Sequence, residues 1–527
     1  MSLISPRLVR RGLSVVGIVL YSTLVLSTRC ANREDVFVNG ATYFTDADCY
    51  ARMTRARMCF EHPGLVVRHH DFENFPAGTT PHTTAPLDYM IVLLAWMLKP
   101  LSAYPLDIAG AMISPLLALS GGLFLWWWAR GMKFAYRSVA LLLYAASPIL
   151  VHATELGRPD HQSLLVVLIL IAFCAEWRLR TEASWQWAAV SGIAWGLALW
   201  TSLYEPLVLL CIVLICHALT DRDQLAAPHR RVGWIILSVV VMVAAIIERR
   251  IFQFAVFPPG SIAENWARSI GELAPVRITD LIWLRWFGYF ILLAPALTVM
   301  AIWKRRRIPG LPLALLFATF ALTVFQARWA YSFAVLFVLT IPILLAGVKS
   351  RAVVWTIAAI SFLPILREWD ERCWPNELRR TQDTVRRLEA VQLREVALRL
   401  RAVDPGPFLA PWWLSPAIAY WSVQPGVAGS SHESLPGIEK SARFMIADDM
   451  SAAREVLCRQ KVTSVIAYDA QRVSSNSAAL LGIRAPQSAL ISVLDRAPTG
   501  APPFLRLSYQ SGVCKLYRFE HLGEMCD

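Results

Sequence analysis

The chain has 527 residues, of which 56% are hydrophobic and only 17% charged, with a mean hydropathy of +0.46. That composition excludes an ordinary soluble enzyme and reads as a polytopic membrane protein. A net charge of +13 would suggest nucleic acid in a soluble chain, but here Lys and Arg fall in short clusters between apolar runs, as the positive-inside rule requires.

Arg7 to Arg11 precede the apolar run 12–27, which reads as a signal anchor with its N-terminus in the cytoplasm. A polar outer loop, 28–106, follows. Within it, residues 87–101 are too short for a crossing of ~20 residues and are interrupted by Lys99 and Pro100, so they are expected to form a re-entrant or interfacial helix. Further spans are expected near 107–128, 138–153, 161–177, 185–202, 203–219, 232–250, 283–303, 310–326, 329–347 and 351–367. The total is about 11 to 13 spans. The connectors Arg130–Arg137, Arg178–Arg180, Arg222–Arg231, Lys304–Arg307 and Lys349–Arg351 then all face the cytoplasm, with Arg249 and Arg250 the exception. Residues 368–527 open with Arg, Glu and Leu at helical spacing and continue with short apolar runs such as Val462 to Tyr468, which read as buried strands. The expected architecture is thus a helical membrane domain, 1–367, and a smaller extracytoplasmic mixed α/β domain, 368–527. The ten cysteines show no C-x-x-C pair and no zinc spacing.

Four ionisable features fall on the outer face in this topology: Asp46 with Asp48; ELGRPDHQSL with Glu155, Arg158, Asp160 and His161; Glu264 in SIAEN; and Arg328 in QARWAYSFA. Such groups at a membrane edge are costly unless paired, solvated or bound to a ligand. Each also has a plain structural reading. Asp46 and Asp48 can be solvated, Asp160 can cap the helix that follows, Glu264 can sit in water and Arg328 can snorkel. His62, His69, His70 and His82 read as polar loop residues and His432 as a turn residue.

Together, in chain order, these features resemble the catalytic subunit of oligosaccharyltransferase, a GT-C type membrane glycosyltransferase. Asp46 and Arg52 match its D-x-x-x-x-x-R motif, Asp160 and His161 the start of its second acidic motif, and Ser261 to Glu264 its third. Gln326, Arg328, Tyr331 and Ala334 match its Q-x-R-aromatic-x-Y-x-x-A segment. The resemblance implies a GT-C-like fold in the cell (inner) membrane, with an extracytoplasmic active site. It implies transfer of a sugar or oligosaccharide, with inversion, from a polyprenyl-(di)phosphate donor to an acceptor protein, glycan or lipid. Asp46 and Glu264 are the implied catalytic residues, and Asp46, Asp160, His161 and Glu264 the ligands of Mn²⁺ or Mg²⁺. Arg328 and Tyr331 are implied on the donor, with Asp48, Arg52, Glu155 and Arg158 accessory. The family's W-W-D reads Trp412, Trp413, Leu414 here, and Gln162 replaces the third residue of the second motif. Leucine cannot accept a sequon hydroxyl, so an acceptor other than an N-x-S/T peptide is expected, with Trp412 and Trp413 either an acceptor wall or ordinary packing. Two further readings stand beside this one: a GT-C transferase using a polyprenyl-monophosphate sugar, and a non-enzymatic lipid transporter.

Overall fold

The computed structural model describes residues 6–82, 85–220, 222–249, 260–303 and 310–520. The connector Lys304–Arg307, Arg250 and the start of the 251–282 loop lie outside the described residues. The chain divides into two compact units, Met1–Glu34 with Ala111–Phe252 and Glu272–Asn376, and Asp35–Gly110 with Gln253–Gly271 and Glu377–Asp527.

The first unit is built of helices. Among the described residues of the chain, Pro105–Gly131, His161–Thr181, Pro228–Glu248, Ala327–Leu345 and Arg351–Cys373 are long and apolar enough to cross a membrane. Ser14–Arg29, Tyr204–Thr220, Phe290–Trp303 and Gly310–Phe325 are shorter apolar helices. Two of the expected spans are broken, each for a local reason. Residues 138–153 form Arg137–Ala146 and Pro148–Thr154, bent by 55°. Pro148 has no N–H for the ladder and drives Ser147 into an extended conformation, φ −60° and ψ 118°. Residues 283–303 form Ile282–Phe287 and Phe290–Trp303, separated at Gly288 with φ 63° and ψ −165°. That conformation is open almost only to glycine, and a Cβ there would also collide with the Ser361 carbonyl. Gly288→Ala is expected to cost about 1–3 kcal/mol, read as a lowered thermal midpoint in detergent; an unchanged midpoint would show that the break relaxes.

Trp185–Thr201 lies tightly on Pro228–Glu248, because a Cβ on Gly192 would meet the Gly233 carbonyl. Small residues at that crossing let the backbones approach, as in membrane bundles generally. Beneath the crossing, Glu176 is buried with Arg230 Nη1 at 2.7 Å and His217 Nε2 at 3.1 Å, so its charge is compensated where water is absent.

In the second unit, residues 87–101 form the Ala85–Leu98 helix, whose 14 residues are short of a crossing. Its Val92 joins Cys59 and Val67 in a small core against the Ala47–Glu61 helix. The Val462–Tyr468 expectation is met by the strand Ser464–Ala467, buried throughout. It pairs parallel with Phe408–Leu409 and antiparallel with Cys514–Phe519, which in turn pairs with Leu505–Ser511. Helices Leu435–Met445, Met450–Arg459, Ala470–Leu481 and Leu490–Arg496 accompany this sheet, giving a mixed α/β body. Cys458 is disulfide-bonded.

Candidate functional site

The polar residues of the first unit gather at helix ends. The turn before His161–Thr181 is fixed by backbone bonds from Leu156 N to Arg29 O, 2.8 Å, and from Gly157 N to Ala111 O, 2.9 Å. Gly157 has φ 74°, which permits that turn. Asp160 follows as the N-cap, extended at φ −105° and ψ 149°. Its Oδ1 accepts from the His161 backbone N–H at 2.7 Å and lies 2.6 Å from His161 Nδ1. The capping role read from the sequence is therefore real, and the same oxygen orients the imidazole.

Gln162 carries the connection onward: its Nε2 donates to Glu205 Oε1 at 3.2 Å. Glu205, buried in the first turn of Tyr204–Thr220, accepts from Arg328 Nε at 2.8 Å and from Arg328 Nη2. The guanidinium also lies over the Tyr204 ring, 5.4 Å from its centroid. Arg328 is thus not snorkelling; it is held on two sides, with 21% of its side chain exposed.

A second set of contacts runs beside the first. Tyr331 OH lies 3.0 Å from His152 Nδ1 and donates to Glu272 Oε1 at 3.4 Å. Arg158 reaches His152 Nε2 at 3.3 Å, Glu272 at 3.7 Å and Glu155 at 3.9 Å. Asp160, His161, Arg158, Glu155, Arg328 and Tyr331 therefore share one unit and one pair of adjoining networks. Partial burial and then the Asp160 charge raise the pKa of Glu272, against the lowering influence of Arg158 and Arg328. A carboxylate in contact with an imidazole, as Asp160 is with His161, offers donor types that fit a divalent cation. Asp160 and His161 are the residues here that would hold it.

Glu205, Glu272 and His152 were missed in the sequence. Glu205 carried a usable signal, an acid inside the apolar stretch 185–219. Glu272 lies eight residues beyond Glu264, the acid of the S-I-A-E match, and carries no motif of its own. His152 lay inside an apolar run and its partner Tyr331 is 179 residues away.

Asp46 and Glu264 belong to the other unit. Asp46 is the N-cap of Ala47–Glu61, its Oδ1 accepting from Cys49 N at 2.9 Å, and Asp48 sits in the first turn, where a negative charge suits the helix dipole. Arg52 is buried and paired with Asp88 at 2.7 Å, so this motif arginine is engaged inside its own unit. Glu264 is exposed on Ser261–Ser269, 3.6 Å from Arg268, while Ala263 and Trp266 of the same helix pack on Leu435, Ile438, Ala442 and Leu480. Trp412 packs against that cluster, donates from Nε1 to Asn476 at 2.8 Å, and meets Trp413 edge to face at 5.8 Å. Trp412 is thus partly buried and packed within its unit. His82 and His432, loop and turn residues by sequence, are brought to the same carboxylate, Glu433. A cavity of about 460 Å³ in this unit is lined by Arg57, Arg394, Arg401, Asp107, Tyr420 and Trp421, a surface suited to a sugar ring or an anionic group.

Comparison with solved structures decides the fold. The oligosaccharyltransferase AglB from Archaeoglobus fulgidus, in complex with an inhibitory peptide and a dolichol-phosphate, matches with a TM-score of 0.69 at 14% identity, over 90% of this chain and 71% of that one. ArnT from Cupriavidus metallidurans, bound to undecaprenyl phosphate, matches with a TM-score of 0.51 at 13% identity, over 96% of this chain and 97% of that one. The chain shares the fold of these two proteins. No family model matches the chain, and no curated protein matches it in sequence. Asp160 and Arg328 sit at the ends of apolar helices of the first unit.

Proposed function

We propose that this chain is an integral, multi-pass membrane glycosyltransferase of the oligosaccharyltransferase-like kind. It transfers a sugar or oligosaccharide from a polyprenyl-(di)phosphate donor to an acceptor on the outer face of the cell (inner) membrane. The observation that carries the reading is the Arg328–Glu205–Gln162–His161–Asp160 network at the helix ends of a GT-C fold. The proposed topology has about 11 to 13 spans, a first outer loop at 28–106 and an extracytoplasmic body at 368–527.

In this proposal Arg328 receives the donor's phosphate. Glu205 takes its Nε and Nη2 edge, which fixes the plane of the guanidinium and aims Nη1. Arg158 and Tyr331 stand beside it, both tied to Glu272 and His152, and supply further donors to phosphate oxygens. Mn²⁺ or Mg²⁺, when bound, would neutralise the charge that develops on the leaving phosphate. Asp46, Asp160, His161 and Glu264 are the ligands proposed from the motif match. Asp46 and Glu264 are also proposed to orient or deprotonate the acceptor nucleophile. Attack from the face opposite the departing phosphate inverts the anomeric centre. Leu414 and the engagement of Trp412 by Asn476 favour an acceptor other than an N-x-S/T peptide.

Asp160 allows capping to be separated from chemistry. Serine is as good an N-cap as aspartate, so Asp160→Ser is expected to leave the thermal midpoint nearly unchanged. Turnover of a polyprenyl-linked sugar is expected to fall about 10–100-fold, and the Mn²⁺ concentration needed for half-maximal rate to rise. Full turnover in that variant would leave Asp160 as a cap only.

A further inference from the structure

The second unit holds a further metal-ligating group. His82, in the first outer loop, and His432 and Glu433, in the 3₁₀ turn His432–Ser434, place their ligand atoms within 4.8 Å of one another. His82 Nδ1 lies 2.6 Å from Glu433 Oε1, and His82 backbone N–H donates to the same oxygen at 2.7 Å. His432 Nδ1 is 3.4 Å from Glu433 Oε2. The two imidazole rings are 4.8 Å apart and tilted by 45°, so both nitrogens converge on the carboxylate.

Three features point to a cation here rather than to a hydrogen-bonded cluster alone. Glu433 Oε2 is buried, and His432 Nδ1, at 3.4 Å, falls short of hydrogen-bond geometry. Such an oxygen costs stability unless something else satisfies it. Next, two imidazoles and a carboxylate form a donor set typical of zinc. Ligand atoms about a tetrahedral Zn²⁺ lie about 3.4 Å apart at bond lengths of about 2.0–2.2 Å. A contraction from 4.8 Å is within reach of side-chain rotation, because His82 is 39% exposed. That exposure also provides the path of entry and leaves a coordination position for water.

We infer that His82, His432 and Glu433 form a zinc site that clips the first outer loop to the His432–Ser434 turn across 351 residues of chain. A ligand that binds this folded arrangement and not the unfolded chain stabilises it by mass action. The site would be closed by protein on three sides, with oxygen and nitrogen ligands that also accept Co²⁺.

The test uses the full-length protein in detergent or nanodiscs, stripped with a chelator and then titrated with Zn²⁺ by calorimetry and with Co²⁺ by visible absorption. The expected result is a tight site with a tetrahedral Co²⁺ spectrum and a thermal midpoint raised by Zn²⁺. His432→Ala and Glu433→Gln should each weaken Zn²⁺ at least tenfold and abolish the spectrum, while Asp160→Ser keeps both. Glu433→Gln guards against misfolding, since it is nearly isosteric, and its circular dichroism is compared with the parent. Zn²⁺ affinity unchanged in both variants, or no Co²⁺ spectrum in the parent, would overturn the site. Loss of the spectrum in Asp160→Ser alone would assign the metal to the donor network instead.

Discussion

Arg328→Gln is expected to lower turnover of a polyprenyl-linked sugar donor about 10²–10³-fold, the loss that follows removal of one fixed donor to a developing oxyanion. Glutamine keeps hydrogen-bonding capacity toward Glu205 but carries no charge and cannot present the guanidinium fork. The complication is Glu205, which is 3% exposed at its side chain and loses its cationic partner. A buried carboxylate without its partner destabilises the fold on its own account. Arg328→Gln with Glu205→Gln is therefore the informative comparison: the thermal midpoint should recover and the turnover should not. Recovery of both would make Arg328 a structural counter-ion, and the donor would have to be held elsewhere.

Asp88→Ala is expected to destabilise the second unit by about 3–5 kcal/mol, which is the cost of removing one partner from a buried pair. Asp88 and Arg52 expose only 4% and 2% of their side chains, and Arg55 lies 4.0 Å from the other oxygen of Asp88. Burial lowers the pKa of Arg55, and Arg52 lowers it further, so the carboxylate holds two guanidiniums in a space that disfavours their charge. Limited proteolysis across a denaturant series would read the effect. A change below about 1 kcal/mol would show that water reaches the pair as it does at a surface. Because Arg52 is the arginine of the first acidic motif, the outcome also assigns that motif residue: a purely structural loss, with normal turnover per folded molecule, places its role in holding the Ala47–Glu61 helix.

What the sequence revealed and what it concealed divide along one physical line. Periodicity and apolar length are local, so the apolar helices and the Ser464–Ala467 strand were legible, as was the shortness of Ala85–Leu98. The cap at Asp160 was also legible, because a capping aspartate and its helix are neighbours in the chain. Breaks within an apolar run were not foreseen at Pro148 and Gly288, since hydropathy is blind to the backbone conformation these residues impose. Pairings across the chain were not legible at all. Arg328 was singled out, but its partner Glu205 is 123 residues away, and His82 meets Glu433 across 351. For the same reason Arg52 was read as an accessory of the site when its charge is taken up by Asp88.

The central claim is that this chain moves sugar from a polyprenyl-linked donor to an acceptor that is not a sequon peptide. The most direct measurement gives the purified protein in nanodiscs a radiolabelled polyprenyl-linked sugar and Mn²⁺, with either an N-x-S/T peptide or a membrane extract as acceptor, and follows where the label goes. The account predicts donor consumption with label in the extract's glycans, lipids or proteins, and little label on the peptide. Robust transfer to the peptide asparagine would show that Leu414 does not set the acceptor. No consumption of donor with either acceptor would contradict the transferase reading and favour a lipid transporter.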